Sequence, residues 1–268
     1  MIRLIACDLD GTLMDEEQRI APAVREAIAE AQAAGITVTL ASGRMFTALL
    51  PAARDLAITA PLICYQGGWI QAPDEATPRF RATLAAAVAS DLLRSADKLG
   101  WHAVLYADGR IFLREQRHPP TFYTALLGSD WQIVASWESV IARHQVDKVL
   151  FVASPEGIPA IAEALRAHVG TRATVVRSHA RFVEVIPPGV NKGEGLRRVA
   201  EMLGVRREAV MAIGDQENDL PMIVWAGVGV AMGNAVPALK AAADFVAPPL
   251  WEEGAAVAIR RALSEAGR

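Results

Sequence analysis

The chain alternates short, unbroken apolar runs with stretches whose apolar residues recur at helical intervals. "IRLIAC" (2–7) is too short for a helix and has the length and content of a strand buried on both faces. In "APAVREAIAEAQAAG", Val24, Ala27, Ile28, Ala31 and Ala34 keep helical spacing, with Pro22 near the start and Gly35 at the stop. "ITVTLAS" reads as a second buried strand, a helix follows from about Met45 to Leu56, and "PLICY" reads as a third strand. Such alternation, with nearly all-apolar strands, predicts a parallel sheet covered by helices on both faces.

After about Ala82 the rhythm changes. A helix over 84–99 leads into "WHAVLYADGRIFLRE", where Asp108-Gly109 between two strands is a strong hairpin signal. "VDKVLFVA", a helix near 157–169, and "ATVVRSHARFVEVIP", read as a hairpin turning near Ser178-His179, complete this region. From about Gly189 the strand–helix rhythm returns: a helix over 193–203, "AVMAIGD", a helix over 219–226, "GVGVAM", a short helix over 237–243, "DFVA" and a last helix. The expected fold class is α/β. A doubly wound, parallel-sheet core (1–81 with 188–268) is interrupted by an α+β insert (82–187), with 71–78 and 187–189 as linkers.

Composition narrows the function. A chain of 268 residues, 52% apolar and 21% charged, has enough material for a large core. A net charge of -3 argues against general nucleic-acid binding; an anionic ligand would need a local positive site. Cys7 and Cys64 lie inside strand-like runs and read as reduced core thiols. Met1 leads into the first strand with no basic leader, and no uncharged apolar run reaches the roughly 18 residues of a membrane helix. A cytoplasmic protein without membrane or nucleic-acid partners, monomeric or a weak homodimer, is expected.

In parallel α/β sheets, ligands bind beyond the carboxyl ends of the strands. Four such ends here switch abruptly from apolar to polar. At Asp8-Leu9-Asp10-Gly11-Thr12, the two carboxylates point the same way if the chain stays extended. They then need a cation, or one must keep a proton. Oxygen-only ligation suits Mg²⁺, and a carboxylate can attack phosphorus; two solvated acids in a turn are the alternative. Ser42-Gly43-Arg44 places Ser42 as an N-cap, where a helix start offers N–H groups to an anion or the serine simply caps. Asn191 with Glu194 resembles a capping box and puts Lys192 in the first helical turn. A cation there costs about 0.3–1 kcal/mol against the helix dipole, explained if it faces a phosphate and unexplained if it is merely exposed. Lastly, Gly214-Asp215-Gln216-Glu217-Asn218-Asp219 offers Asp215 as a second metal ligand. Asn218 or Asp219 would orient Lys192 or touch phosphate; an ordinary acidic loop is the competing reading. Together the four supply a nucleophile, an acid/base, a cation site, an anion site and a lysine, the equipment of phosphoryl transfer.

With these motifs in this order, the sequence resembles the haloacid dehalogenase superfamily. "DLDGT" looks like its first motif, Ser42 its second, Lys192 its third and "GDQEND" its fourth. The insert between the second and third motifs looks like a type C2 cap, and its hairpins favour the C2B form. "GVGVAMGNAVPALKAAADFV" followed by "EEGAAVAI" is similar to the Cof-type phosphatases. The resemblance implies a Mg²⁺-dependent phosphatase with Asp8 as nucleophile and Asp10 as the acid that protonates the leaving oxygen and then activates water. The ion would sit on the Asp8 carboxylate, the Asp10 main-chain carbonyl and Asp215, with Asp219 behind them or reaching the metal through water. Ser42, Lys192 and Asn218, with the Leu9 and Gly43 amides, would hold the phosphoryl group. A cap would close over the leaving group of a small phosphate ester, sugar phosphates first. Two departures stand out: "YQGG" has Gln66 where relatives usually have Asn, and Asn191 stands where Ser, Thr or Asp is frequent.

Other polar residues are not assigned to the site. His102, His118, His144, His168 and His179 show no metal-ligand spacing and read as surface or packing residues. Trp101, Trp131 and Trp137 read as core of the insert, and Trp69 as packing on the main domain. Two other functions share the same residues: a phosphotransferase or mutase, and a catalytically idle phosphate-binding regulator.

Overall fold

The computed structural model describes residues 1–127 and 131–266; residues 128–130 and 267–268, which fall inside the spans expected for insert and core, lie outside that description. The described residues form two compact units, one of residues 1–43, 49–80 and 191–266, the other of residues 44–48, 81–127 and 131–190.

In the first unit the apolar runs build a five-stranded sheet in the order Phe245–Val246, Val228–Ala231, Val210–Gly214, Leu4–Cys7, Thr37–Leu40. Every neighbouring pair is parallel. All four residues of Leu4–Cys7 are buried, which is why that run carries no polar alternation. Its end is in register with its neighbours, Cys7 opposite Ile213 on one side and Leu40 on the other. The helices Pro22–Ala33 and Gly254–Ala266 pack together, as do Lys192–Met202 and Leu220–Trp225. None of the described helices is long and apolar enough to cross a membrane.

Leu62–Cys64, expected as a third strand of this sheet, belongs instead to a separate three-stranded sheet with Trp69–Gln71 and Phe80–Arg81. An isolated parallel bridge, Ala41 with Ile63, ties it to the chain leaving Thr37–Leu40. The cause is the backbone just after it. Tyr65, Gln66 and Gly67 all have positive φ (49°, 61° and 101°), which turns the chain back so that Trp69–Gln71 runs antiparallel to Leu62–Cys64. The stretch 71–78 lies in this unit and is held by its own hydrogen bonds, Gln71 Nε2 to the Glu75 carbonyl (2.7 Å) and Arg79 N–H to the Ile70 carbonyl (2.8 Å).

In the second unit a six-stranded sheet runs Thr174–His179, Phe182–Ile186, Val146–Val152, His102–Ala107, Arg110–Leu113, Trp131–Ile133. The first hairpin turns at Asp108 (φ 48°) and Gly109 (φ 65°), the left-handed pair that the Asp-Gly dipeptide favours. The second turns at 180–181 rather than at Ser178-His179, because an irregularity between Arg177 and His179 shifts the register and keeps His179 opposite Phe182. Alternate strand residues, among them Leu105, Val149, Phe151, Val183 and Val185, share one apolar cluster with Leu92, Leu93, Ile158, Leu165 and Trp137. Intervening positions carry polar groups; there the Lys148 ammonium pairs with Glu184 and lies 4.6 Å from the Tyr106 ring centroid.

His102 is held neutral by a specific arrangement. The Tyr123 hydroxyl accepts N–H bonds from Arg117 (2.9 Å) and His118 (3.1 Å), so its own proton points at His102 Nε2, 3.0 Å away. Burial, helped by the Arg117 charge, pushes the His102 pKa down to about 4. Below the usual imidazole value near 6.5 the unfolded chain therefore takes up a proton that the folded chain refuses. Stability contributed by neutral His102 is full above pH ~6.5 and is lost as pH falls toward 4. We expect thermal melting followed by circular dichroism to fall across that window, and to fall less in His102→Asn; equal slopes would refute the neutral-histidine arrangement.

Candidate active site

Asp8, Ser42, Lys192, Asn218, Asp215 and Asp219 all lie in the first unit. Asp8 directly follows Leu4–Cys7, and its N–H donates to the Ile213 carbonyl (2.9 Å), so the parallel ladder continues to the first carboxylate. Asp215 directly follows the neighbouring strand Val210–Gly214. Thr12 Oγ1 donates to Asp215 Oδ1 and Gln216 Nε2 to Asp215 Oδ2, both at 2.8 Å. Gly11 lets these loops meet: its φ is +83°, and a Cβ there would sit 2.6 Å from Asp215 Oδ2.

Lys192 opens the helix Lys192–Met202, with Asn191 as its N-cap; Asn191 Oδ1 accepts the Glu194 N–H at 2.8 Å. The Lys192 side chain is 1% exposed, and its Nζ donates to Asp8 Oδ1 (2.7 Å) and Asp219 Oδ1 (2.6 Å). Asp219 Oδ2 accepts the N–H groups of Asp215 and Gln216, both at 2.9 Å. One lysine thus joins the loop after the first strand to the loop after Val210–Gly214. Asp219 is engaged on both oxygens and serves as the brace between them.

The charges do not balance. Asp8, Asp215 and Asp219 bring ligand oxygens within 4.8 Å of one another in a buried site. Against three carboxylates stands one ammonium, leaving two surplus negative charges. Burial first, then repulsion from Asp219, raises the Asp8 carboxyl well above its usual range, although Lys192 opposes the rise. The same two causes push Asp215 up to about 6. Burial disfavours the Lys192 ammonium, but the Asp219 and Asp8 carboxylates outweigh it and hold the lysine above its usual value. An oxygen-only donor set with two uncompensated charges fits a divalent hard cation such as Mg²⁺.

The remaining expected residues lie as follows. Asp10 is exposed, in an isolated bridge with Met14, and its side chain is outside the carboxylate triplet. Leu9 is fully buried, and its carbonyl accepts from Leu13 and Met14. Ser42 is buried but is not an N-cap, because the helix starts only at Phe46. Its main chain is used otherwise: the Ser42 N–H donates to Ile63 (2.8 Å) and its carbonyl accepts from Gln66 (3.0 Å). Gly43 follows in a bend. Asn218 Nδ2 donates to Gln66 Oε1 at 3.0 Å, while Asn218 Oδ1 is buried without a hydrogen-bond partner among the described residues.

Asn234 is a residue that sequence reasoning missed. Its Nδ2 donates to the Gly11 carbonyl (2.8 Å) and its Oδ1 accepts the Leu250 N–H (2.9 Å), clamping the loop that carries both first-motif acids. The only local signal was a polar residue straight after "GVGVAMG". Cys7 and Cys64 are free and buried, and burial, with the Asp8 charge beside it, pushes the Cys7 thiol up to about 12. All five histidines lie in the second unit. Trp101 and Trp137 pack in or on the core of that unit, Trp131 lies tilted against Tyr123, and Trp69 packs edge-on against Tyr65 in the first.

A family model described as haloacid dehalogenase-like hydrolase matches residues 5–259. A putative phosphatase of Bacillus subtilis, YxeH, is 31% identical, with 97% of each chain covered. The 5-amino-6-(5-phospho-D-ribitylamino)uracil phosphatase YcsE of the same organism is 31% identical over 97% of this chain and 95% of its own. A haloacid dehalogenase-like hydrolase from Bacteroides thetaiotaomicron superposes with a TM-score of 0.85 at 31% identity, covering 97% of this chain and 99% of that one.

Removing the lysine leaves buried carboxylates facing each other without their cation. Lys192→Ala, unfolded in urea in the presence of EDTA, is expected to lose about 3–5 kcal/mol relative to the parent. A loss under about 1 kcal/mol would mean that the carboxylates do not rely on Lys192.

Proposed function

Because the chain belongs to the haloacid dehalogenase-like hydrolases, we propose that it is a Mg²⁺-dependent phosphatase acting on small phosphomonoesters through an aspartyl-phosphate on Asp8. The observation that carries this reading is the Asp8–Lys192–Asp219 chain beside Asp215 at the ends of two adjacent parallel strands.

Lys192 holds Asp8 Oδ1, which fixes the rotation of the carboxylate and aims it at an incoming phosphorus. An Asp8 oxygen forms the new bond to phosphorus while the bond to the leaving oxygen breaks. Asp10, two residues on and exposed, gives its proton to that oxygen. Asp10 then takes a proton from water as the water oxygen attacks phosphorus, the bond to Asp8 breaks, and inorganic phosphate is released. Lys192, Ser42, Asn218 and the Leu9 and Gly43 amides bind the phosphoryl oxygens throughout. Asp8, Asp215 and the Asp10 carbonyl would hold Mg²⁺, whose charge would keep the carboxylates ionised and offset that of the phosphoryl group.

Sugar phosphates are the leading substrate class. Support comes from the relative YcsE, whose named substrate carries its phosphate on a ribityl chain, a reduced sugar. The cytoplasm, where two buried thiols stay reduced, is the proposed compartment. The sharing of Asp8 chemistry makes phosphotransfer to a second acceptor the competing reaction; release of one inorganic phosphate per substrate consumed, with no isomer formed, decides for hydrolysis.

With p-nitrophenyl phosphate, Asp8→Asn is expected to lower turnover on the order of 10⁴-fold or more, as loss of a nucleophile does elsewhere. Dialysis against EDTA should abolish parent activity and Mg²⁺ should restore it. Undiminished turnover in Asp8→Asn would overturn the nucleophile, and full activity in EDTA would overturn the metal.

A further inference from the structure

Gln66 occupies a position that no catalytic step accounts for, yet much of the site converges on it. It is 1% exposed and has φ 61°, inside the run Tyr65, Gln66, Gly67 in which each φ is positive. A non-glycine residue held there costs on the order of 1–3 kcal/mol, and such strain gathers where the surrounding structure over-determines the backbone. Three contacts do so here. The Gln66 N–H donates to the Ser42 carbonyl at 3.0 Å. Gln66 Oε1 accepts from Asn218 Nδ2 at 3.0 Å. The adjoining Gly67 lies so close to the N-cap of the Lys192 helix that a Cβ on it would come within 2.3 Å of the Asn191 carbonyl oxygen. The strained turn thus meets Ser42 and Asn218 through Gln66 and Asn191 through Gly67, one member each of the second and fourth motifs and the cap of the third.

The geometry points to Gln66 as a positioning residue that fixes the Asn218 carboxamide for the phosphoryl group and locks it to the Ser42 loop. The inference rests on the phosphatase reading, in which Asn218 and Ser42 hold phosphate. An asparagine side chain has two torsions and two chemically different ends. With one Nδ2 hydrogen given to Gln66, the amide is fixed in one orientation and its other Nδ2 hydrogen remains for a phosphate oxygen. Without that acceptor the amide is free to turn its oxygen toward an anion, which repels it.

The test is calorimetric titration of inorganic phosphate into the full chain with Mg²⁺ present, for the parent, Gln66→Met, Asn218→Ala and the double variant. Gln66→Met keeps the length of the side chain and removes its hydrogen-bonding atoms. We expect it to weaken phosphate binding about ten-fold, Asn218→Ala to weaken it at least as much, and the double variant to bind no more weakly than Asn218→Ala alone, as coupled residues do. Gln66→Asn, which restores a shorter carboxamide, is expected to bind between parent and Gln66→Met, and it carries the comparison if Gln66→Met does not fold by circular dichroism. Parent-like binding in both Gln66 variants, or losses that simply add in the double variant, overturns the positioning role while leaving Asn218 as a phosphate ligand. Parent-like binding in Asn218→Ala overturns the assignment of Asn218 itself, and the inference with it.

Discussion

One buried ammonium governs the architecture of the first unit. Lys192 is buried and held between Asp8 and Asp219. A buried charge is tolerated only when paired and hydrogen-bonded, so each partner must be held in hydrogen-bonding position. That demand explains the surroundings. Asp219 is braced by two amides, Asn191 caps the helix that delivers the lysine, Thr12 steers Asp215, and Asn234 grips the Gly11 carbonyl. Each is a polar group inside a protein, and each is satisfied by another member of the set.

The same set is deliberately unbalanced toward negative charge, and this imbalance is functional in form. Burial first, and then the Asp219 charge, raises the proton affinity of Asp8 and Asp215. One ammonium among three buried carboxylates leaves room for a further cation, which a divalent ion would supply. A site built for stability alone would have matched its charges.

Much of this was legible in the sequence because the signal is local. An apolar run that ends in Asp8, or in Gly214-Asp215, announces a strand end with chemistry, and Asn191 three residues before Glu194 announces a helix start. What escaped depends on pairs far apart in the chain. Gln66 and Asn218 are separated by 152 positions, and nothing in "YQGG" indicates that its glutamine answers an asparagine. The N-cap expected at Ser42 is absent for a related reason: a serine four residues ahead of a helix looks like a cap until its main chain is seen committed to Ile63 and Gln66. Trp69–Gln71, at three residues, is too short for a period-two pattern to appear, so Leu62–Cys64 was placed in the wrong sheet. In the second unit, a single irregularity near Arg177 moved a turn that composition had placed two residues early.

The strand Leu4–Cys7 has neighbours of very different origin. Thr37–Leu40 lies some thirty residues on, whereas Val210–Gly214 lies about two hundred on, with the whole second unit between them. During synthesis the first strand can meet one neighbour at once and must wait for the other until most of the polypeptide exists. The second unit is nearly continuous in sequence and can condense by nearer contacts meanwhile, shortening the effective loop that must close. The Lys192–Asp8 pair, 184 positions apart, can form only after that closure. It marks the completed molecule, and a nascent or truncated chain lacking the last third cannot assemble the chemistry its first ten residues announce.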